Sequence, residues 1–280
     1  MEKIFKSIAI VPLKEVLVHE QTVKKWARHL AYYMADAGIQ KNPIVVHKIN
    51  RKYIVLDGMH RVEAMKIMKC RDIMVYIVDY FDDKIELHNW YAIAMGELNI
   101  EKFLKDLKSE YEFEKLEKEE DINILIKERK IFIGISDKKD NRYVVFNRKN
   151  LDGDDYIDIA TSLVEKVETA IDSMEYRLIY VPDNTGEQDF KISRGSILIY
   201  RPLFKKEEII KRTLSGKTFP RKSTRHIIPG RPLRVDINIT LLKENIDIKT
   251  KNKLLKAHLL WCFESNKMRF YPEPVYIFSD

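Results

Sequence analysis

With two cysteines among 280 residues, Cys70 and Cys262, the chain has too few for a disulfide framework, and the pair lacks metal-ligand spacing. Nine glycines leave few for loops laid over phosphates, and the sequence contains no GxGxxG, no HRD with DFG and no HExxH. The segment SGKT, Ser215 to Thr218, imitates the tail of a phosphate loop. Lys211 takes the place of that loop's first glycine, however, and the preceding residues read as helix. These absences exclude the common P-loop, protein-kinase and zinc-hydrolase classes. No apolar run approaches the roughly eighteen residues of a membrane-spanning helix. Near the N-terminus the one apolar stretch, Ile8 to Leu13, is shorter than a signal-peptide core and runs into Lys14 and Glu15, so a cytoplasmic location is expected. Glutamine occurs three times while Lys, Glu and Ile abound, a balance compatible with growth at high temperature.

What is present is charge of both signs. Fifty basic residues are interleaved with 43 acidic ones, giving a formal +7 that suits a mixed solvated surface better than a nucleic-acid stripe. Anionic small molecules fit that charge equally well. A hydrophobic content of 45% is enough to bury sizeable cores, and the length favours two lobes. Periodicity predicts strands within Phe5–Val18, a helix over Glu20–Ala37, strands at Ile44–Val46 and Tyr53–Leu56, a helix over Met59–Met68 and a strand at Ile73–Val78. This is a small α/β lobe around a mixed sheet. Helices are predicted at Leu87–Leu107 and Glu114–Lys127. A second α/β pattern begins at Lys130, with strands KIFIGISD and NRYVVFNRK, a helix over Tyr156–Ser173, strands at Arg177–Val181 and Ser196–Tyr200, and a helix over Lys205–Leu214. A strand RVDINITLL and a helix over Lys251–Ser265 close the chain. The expected domains are 1–110 and 111–280.

Three short segments carry the chemistry. In LDGMHR, Asp57 stands where a helix N-cap is expected, Gly58 lets a ligand approach the backbone, and the first-turn amides form an anion site. His60 and Arg61 add side-chain donors there, Arg61 with a bidentate fork. The same residues also read as a capped helix with solvent-facing polar groups. In PRKSTRHIIP, Lys222, Thr224, Arg225 and His226 crowd cations and hydroxyls between prolines, which favours anion binding over a plain basic loop. In VHEQT, His19 and Glu20 are expected to open the first long helix, where the dipole alone would favour a carboxylate.

Taken together, IVPLKEVLVHEQT, NPIVVHKINRKYIVLDGMHRVEAMK and KTFPRKSTRHIIPGR resemble the ParB/sulfiredoxin-like fold, and most closely its free serine kinase branch. That branch has an HE pair, a P-I-V strand, DGxHR at a helix start, and a proline-bounded K-[ST]-T-R-H segment. The resemblance covers most of the chain. It implies an α/β (α+β) fold, a ParB/sulfiredoxin-like N-terminal nucleotide-binding lobe with a mixed sheet plus a C-terminal α/β substrate lobe, and an active site in the cleft between them. It implies phosphoryl transfer from ADP or ATP to free L-serine, giving O-phospho-L-serine for cysteine or serine metabolism. Archaeal members are expected to use ADP and a bacterial relative ATP.

By matching motif, Glu20 would be the base and Asp57 would assist at the reacting centre. Gly58, Met59, His60 and Arg61 would cradle the donor phosphates, with Lys222 adding a contact. Trp90 would help shape the amino-acid pocket, and Thr224, Arg225 and His226 would hold the serine carboxylate or the phosphate moving to it. Mg2+ would enter on the phosphates, with Asp57 a candidate for contact to it or to its water. Arg221 and Ser223 depart from the family's FPP-K-T-T-R-H, and the long 110–200 stretch leaves room for another small hydroxylated acceptor. A ParB-like DNA-binding protein is the alternative outside enzymes, but residues 128–200 do not read as helix-turn-helix. Sulfiredoxin chemistry needs a cysteine where this chain has Met59.

Overall fold

A computed structural model of the chain describes residues 2–107, 111–117 and 119–271. It opens with α1 (Glu2–Ser7), β1 (Ile8–Pro12), a 3-10 turn (Leu13–Glu15), β2 (Val16–Leu17), α2 (Lys24–Ala37), β3 (Ile39–Gln40), β4 (Ile44–Ile49), β5 (Lys52–Asp57), α3 (Met59–Ile67) and β6 (Asp72–Val78). The middle holds β7 (Glu86–His88), β8 (Trp90–Met95), α4 (Ile100–Asp106), β9 (Glu114–Lys115), α5 (Ile122–Lys127), β10 (Ile131–Asp137) and β11 (Arg142–Phe146). It continues with α6 (Gly153–Ser173), β12 (Arg177–Pro182), α7 (Gly186–Ile192), β13 (Gly195–Tyr200), α8 (Lys206–Leu214) and β14 (Arg225–Ile227). The last elements are β15 (Ile237–Asn238), α9 (Ile239–Lys243) and α10 (Ile248–Glu264).

These elements group into two compact units, one of Met1–Ile85 with Ile228–Asp280 and one of Glu86–Ile227. This division differs from the expected 1–110 and 111–280. The C-terminal segment belongs with the N-terminal one because its apolar residues Val235, Ile237, Leu242, Leu255 and Leu259 share a core with Ile10, Val46, Val75 and other sheet residues. Residue 110, the expected boundary, and Lys118 of the charged run lie outside the described residues.

In the first unit a five-stranded sheet runs in the order β1-β6-β4-β5-β2. Its β4/β6 and β2/β5 pairs are parallel and the other two antiparallel, so the sheet is mixed. β4 is buried at Ile44, Val45 and Val46 and β5 at Ile54, Val55 and Leu56, as consecutive apolar residues in strands covered on both faces require. The C-terminal segment is fastened by polar bonds as well. Asn252 on α10 accepts from the Ile10 amide at 2.9 Å and donates to its carbonyl at 2.8 Å. Lys251, fully buried, meets Asp72 at 2.6 Å. β15 pairs with β3, and the buried Gln40 of β3 bonds both the amide and the carbonyl of Met74.

The second unit is built on a six-stranded sheet, β12-β8-β13-β10-β11-β9, antiparallel throughout. α6 follows the predicted amphipathic pattern, burying Tyr156, Ile157, Ala160, Leu163, Val164, Val167 and Ile171. The short ribbon of β7 and β14 pairs the two ends of the unit, with Glu86 opposite Ile227.

Several expectations change. The helix predicted over 87–107 is β7, β8 and only then α4. WYAIAM lies between β12 and β13 with four consecutive buried residues, and long-range pairing overrides its local helical pattern. The helix predicted over 114–127 is reduced to β9 and α5, whose start Asp121 caps through the Asn123 and Ile124 amides. RVDINITLL is a strand only at Ile237–Asn238, because the Asn238 side chain accepts from the Thr240 amide and starts α9.

Candidate active site

In the first unit, the parallel register pairs Val16 with Tyr53 and Leu17 with Ile54. β5 runs on from there to Asp57, while β2 ends at Leu17 and Glu20 comes three residues later. Glu20 therefore does not open α2, as the sequence suggested. It lies in the segment before that helix, which starts at Lys24 after Val23. His19 anchors the segment, its Nδ1 standing 2.6 Å from the Val55 carbonyl. A carbonyl only accepts, so Nδ1 carries the proton, and Nε2 is the atom 3.8 Å from Glu20 Oε1. Burial lowers the His19 pKa against the opposing pull of Glu20, which keeps the ring neutral. Glu20 itself is 7% exposed.

Asp57 ends β5, and the helix cap is Gly58, not Asp57. Gly58 has φ 106, and a Cβ there would stand 2.7 Å from Ile44 Cγ2 and 2.9 Å from Arg61 Nη2. Only glycine fits a backbone both left-handed and so closely covered. Arg61 donates to Asp57 Oδ2 at 2.7 Å and to the Asn42 and Pro43 carbonyls at 3.1 and 2.7 Å. Its guanidinium is thus committed to the protein, where the sequence suggested a phosphate grip. Arg231 also donates to Asp57 Oδ2. Burial would raise the Asp57 pKa, but Arg61 and Arg231 outweigh it and hold the carboxylate below its ordinary value. His60 Nε2 accepts from the Val23 amide at 3.2 Å, and its ring lies 5.7 Å from that of Trp26, so it ties α3 to the start of α2. What α3 offers an anion is its N-terminal turn, where Met59, His60 and Arg61 present first-turn amides.

In the second unit, Trp90 Nε1 donates to the Thr224 carbonyl at 3.1 Å. Lys222 Nζ sits 4.7 Å and Arg225 Cζ 5.5 Å from the centre of the same indole. Arg225 stands opposite His88 in the β14/β7 ribbon and His226 opposite Leu87. The structure therefore gathers Trp90, Lys222, Thr224 and Arg225 into one cluster. Within it Arg225 Nη1 is buried and, among the described residues, has no hydrogen-bond partner. A buried guanidinium nitrogen in that state has a donor to spare for an acceptor such as a carboxylate or phosphate oxygen.

The loop is held from beneath by residues the sequence did not single out. Arg201, 1% exposed, donates to the Lys222 carbonyl and, at 2.8 Å, to that of Arg221, while its Nε faces buried Glu168 at 3.3 Å. Asn89 in turn bonds the Arg201 carbonyl at 2.6 Å. A lone Arg before Pro202 in a strand end gives no local signal of this role. A cavity of about 420 Å³, lined among others by His88, Asn89, Tyr91, Asp183 and Glu187, lies in the same unit. Tyr91 lines it and Trp90 does not, as alternation along β8 requires. Among the described residues no group of three or more His, Cys, Asp or Glu side chains could hold a metal ion, and no helix is long and apolar enough to cross a membrane.

No family model matches the chain. It is similar to the ATP-dependent L-serine kinase of Staphylothermus marinus, 26% identical over 239 residues that cover 84% of this chain and 90% of that protein. It is also similar to the ADP-dependent L-serine kinase SerK of Thermococcus kodakarensis, 23% identical over 244 residues covering 82% and 90%. A third relative, from Desulfurococcus mucosus, is again named an ATP-dependent L-serine kinase. Archaeal relatives thus carry both donor names, where ADP alone was expected of them. Among solved structures, SbnI with C-terminal truncation from Staphylococcus aureus superposes with TM-score 0.75 at 18% identity, covering 94% of this chain and all (100%) of that one. A free serine kinase in complex with AMP superposes with TM-score 0.69 at 22% identity, covering 84% and 93%. The chain shares the α/β fold of the free serine kinases and SbnI.

Proposed function

We propose that this chain is a free L-serine kinase that moves the terminal phosphoryl group of ATP or ADP to the serine hydroxyl. The observation that carries the reading is Glu20, a buried carboxylate beside His19, which is anchored to Val55 of β5, the strand that ends at arginine-bound Asp57. The similarity to named L-serine kinases over four-fifths of the chain supports it.

In this reading Glu20 accepts the hydroxyl proton as the serine oxygen attacks the terminal phosphorus. The bridging P–O bond breaks, and the nucleotide leaves one phosphate shorter. Gly58, Met59, His60 and Arg61 serve the donor through the backbone of the α3 N-terminus, and Lys222 supplies a further cation. Trp90, Thr224, Arg225 and His226 hold the amino acid, with the unsatisfied Arg225 Nη1 meeting its carboxylate. Mg2+, when bound, would neutralise charge on the phosphates. The ion would be held mainly through the phosphates, with Asp57, whose carboxylate ends β5, the side chain to meet it. Free serine and nucleotide place the reaction in the cytoplasm, and its product feeds cysteine or serine metabolism.

The test is incubation with L-serine, L-threonine or L-homoserine, MgCl2 and either nucleotide, with chromatography of AMP, ADP and phospho-amino acid. O-Phospho-L-serine is the expected product; phosphorylation of another acceptor alone would reassign the substrate, and no product from any pair would overturn the kinase reading. Glu20→Gln should retain its fold by circular dichroism and lose about 10²–10⁴ in kcat, the usual worth of a general base.

A further inference from the structure

Asp57 is gripped by two arginines that differ in every other respect. Arg61 is fixed by three acceptors, Asp57 and the carbonyls of Asn42 and Pro43, and its side chain is 19% exposed. Arg231 is 34% exposed, and among the described residues Asp57 is its only hydrogen-bond or ion-pair partner. Arg61 comes from a helix, whereas Arg231 lies in 231–236, which form no helix or strand. It follows Gly230, whose φ is 65 and whose missing Cβ would meet nothing within 4 Å. One guanidinium is held by three acceptors; the other, more exposed, follows a glycine turn and has a single partner among the described residues.

We infer that Arg231 is a binding residue for the transferable phosphate of the nucleoside di- or triphosphate, parked on Asp57 until the donor arrives. This rests on the kinase reading above. The chemistry follows from competition for one cation. A terminal phosphate carries more negative charge than a carboxylate and presents two oxygens to a guanidinium fork, so Arg231 transfers to it. Arg61 cannot do the same without abandoning two carbonyls in a part-buried setting, and it stays to orient Asp57. The transfer relieves Asp57 of one of its two cations at the moment the reacting centre assembles. Asp57 thus keeps one fixed partner and exchanges the other for substrate.

Calorimetric titration of ATP, ADP and AMP into the full chain separates this role from a structural one. The proteins compared are the wild type, Arg231→Ala, Arg231→Lys and the control Arg234→Ala. Arg234 is on the same segment, is exposed, and bonds Asn42 only through its backbone amide. Arg231→Ala should weaken the nucleotide carrying the transferable phosphate at least tenfold, and the nucleotide one phosphate shorter less than twofold. Arg231→Lys should fall between, and Arg234→Ala should match wild type. Unchanged donor affinity in Arg231→Ala, or equal losses for the longer and shorter nucleotides, would overturn the inference. Failure of the kinase reading would look different, since the wild type itself would then form no phospho-amino acid whatever its nucleotide affinities.

Discussion

Residue by residue, the first unit concentrates its constraints on a few atoms around Asp57. Gly58→Ala puts a methyl group into Ile44 and Arg61 on a left-handed backbone, and should cost more than about 1 kcal/mol in denaturant unfolding. His19 gives a pH dependence whose sign is fixed by burial. Its folded pKa lies below the ordinary 6.5, so the unfolded chain binds the proton first and stability falls as pH drops below that value. Urea midpoints between pH 7.5 and 5 should therefore decline more steeply in wild type than in His19→Gln. At this scale the motif residues were legible in the sequence but their duties were not. Arg61 and His60 stand where expected, yet the carbonyls of Asn42 and Pro43 and the amide of Val23 engage them. A string of letters does not show which backbone groups a fold leaves in need of partners. Arg231, by contrast, is visible in PGR but has no local pattern to mark it.

At the level of elements, the loop from Pro220 to His226 depends on a buried ion pair beneath it. Arg201→Met would leave Glu168 buried without its cation and release the carbonyls of Arg221 and Lys222. The expected loss is about 3–5 kcal/mol, read as a lowered thermal midpoint, with a raised KM for the amino acid in whatever folds. The first lobe's order of strands and helices was readable because each has its own period and cap. β8 was not, since WYAIAM owes its conformation to strands that follow about a hundred residues later. The start of α2 was misplaced for a related reason. Val18 to Thr22 suit a helix by pattern, but His19 is tied by its ring to the Val55 carbonyl of β5, and α2 starts only at Lys24.

For the whole molecule, the first unit is discontinuous and the second is contiguous. Leu255, 1% exposed on α10, belongs to the core of strands nearly two hundred residues earlier. Leu255→Ala should cost about 2–5 kcal/mol, and hydrogen exchange should register the loss in β1 and β6 while leaving the second unit's sheet protected.

The order in which a ribosome releases this chain gives that discontinuity a temporal meaning. Glu86–Ile227 contains every strand of its own sheet and can close as soon as it emerges, its two ends zipped by Glu86 and Ile227. The N-terminal strands, made first, must wait for Val235, Leu242, Leu255 and Leu259 before their core is covered. The segment carrying Glu20 and Asp57 is thus synthesised before the second unit and completed after it, and the nascent chain passes through a stage in which Glu86–Ile227 is folded and the segment before it is not.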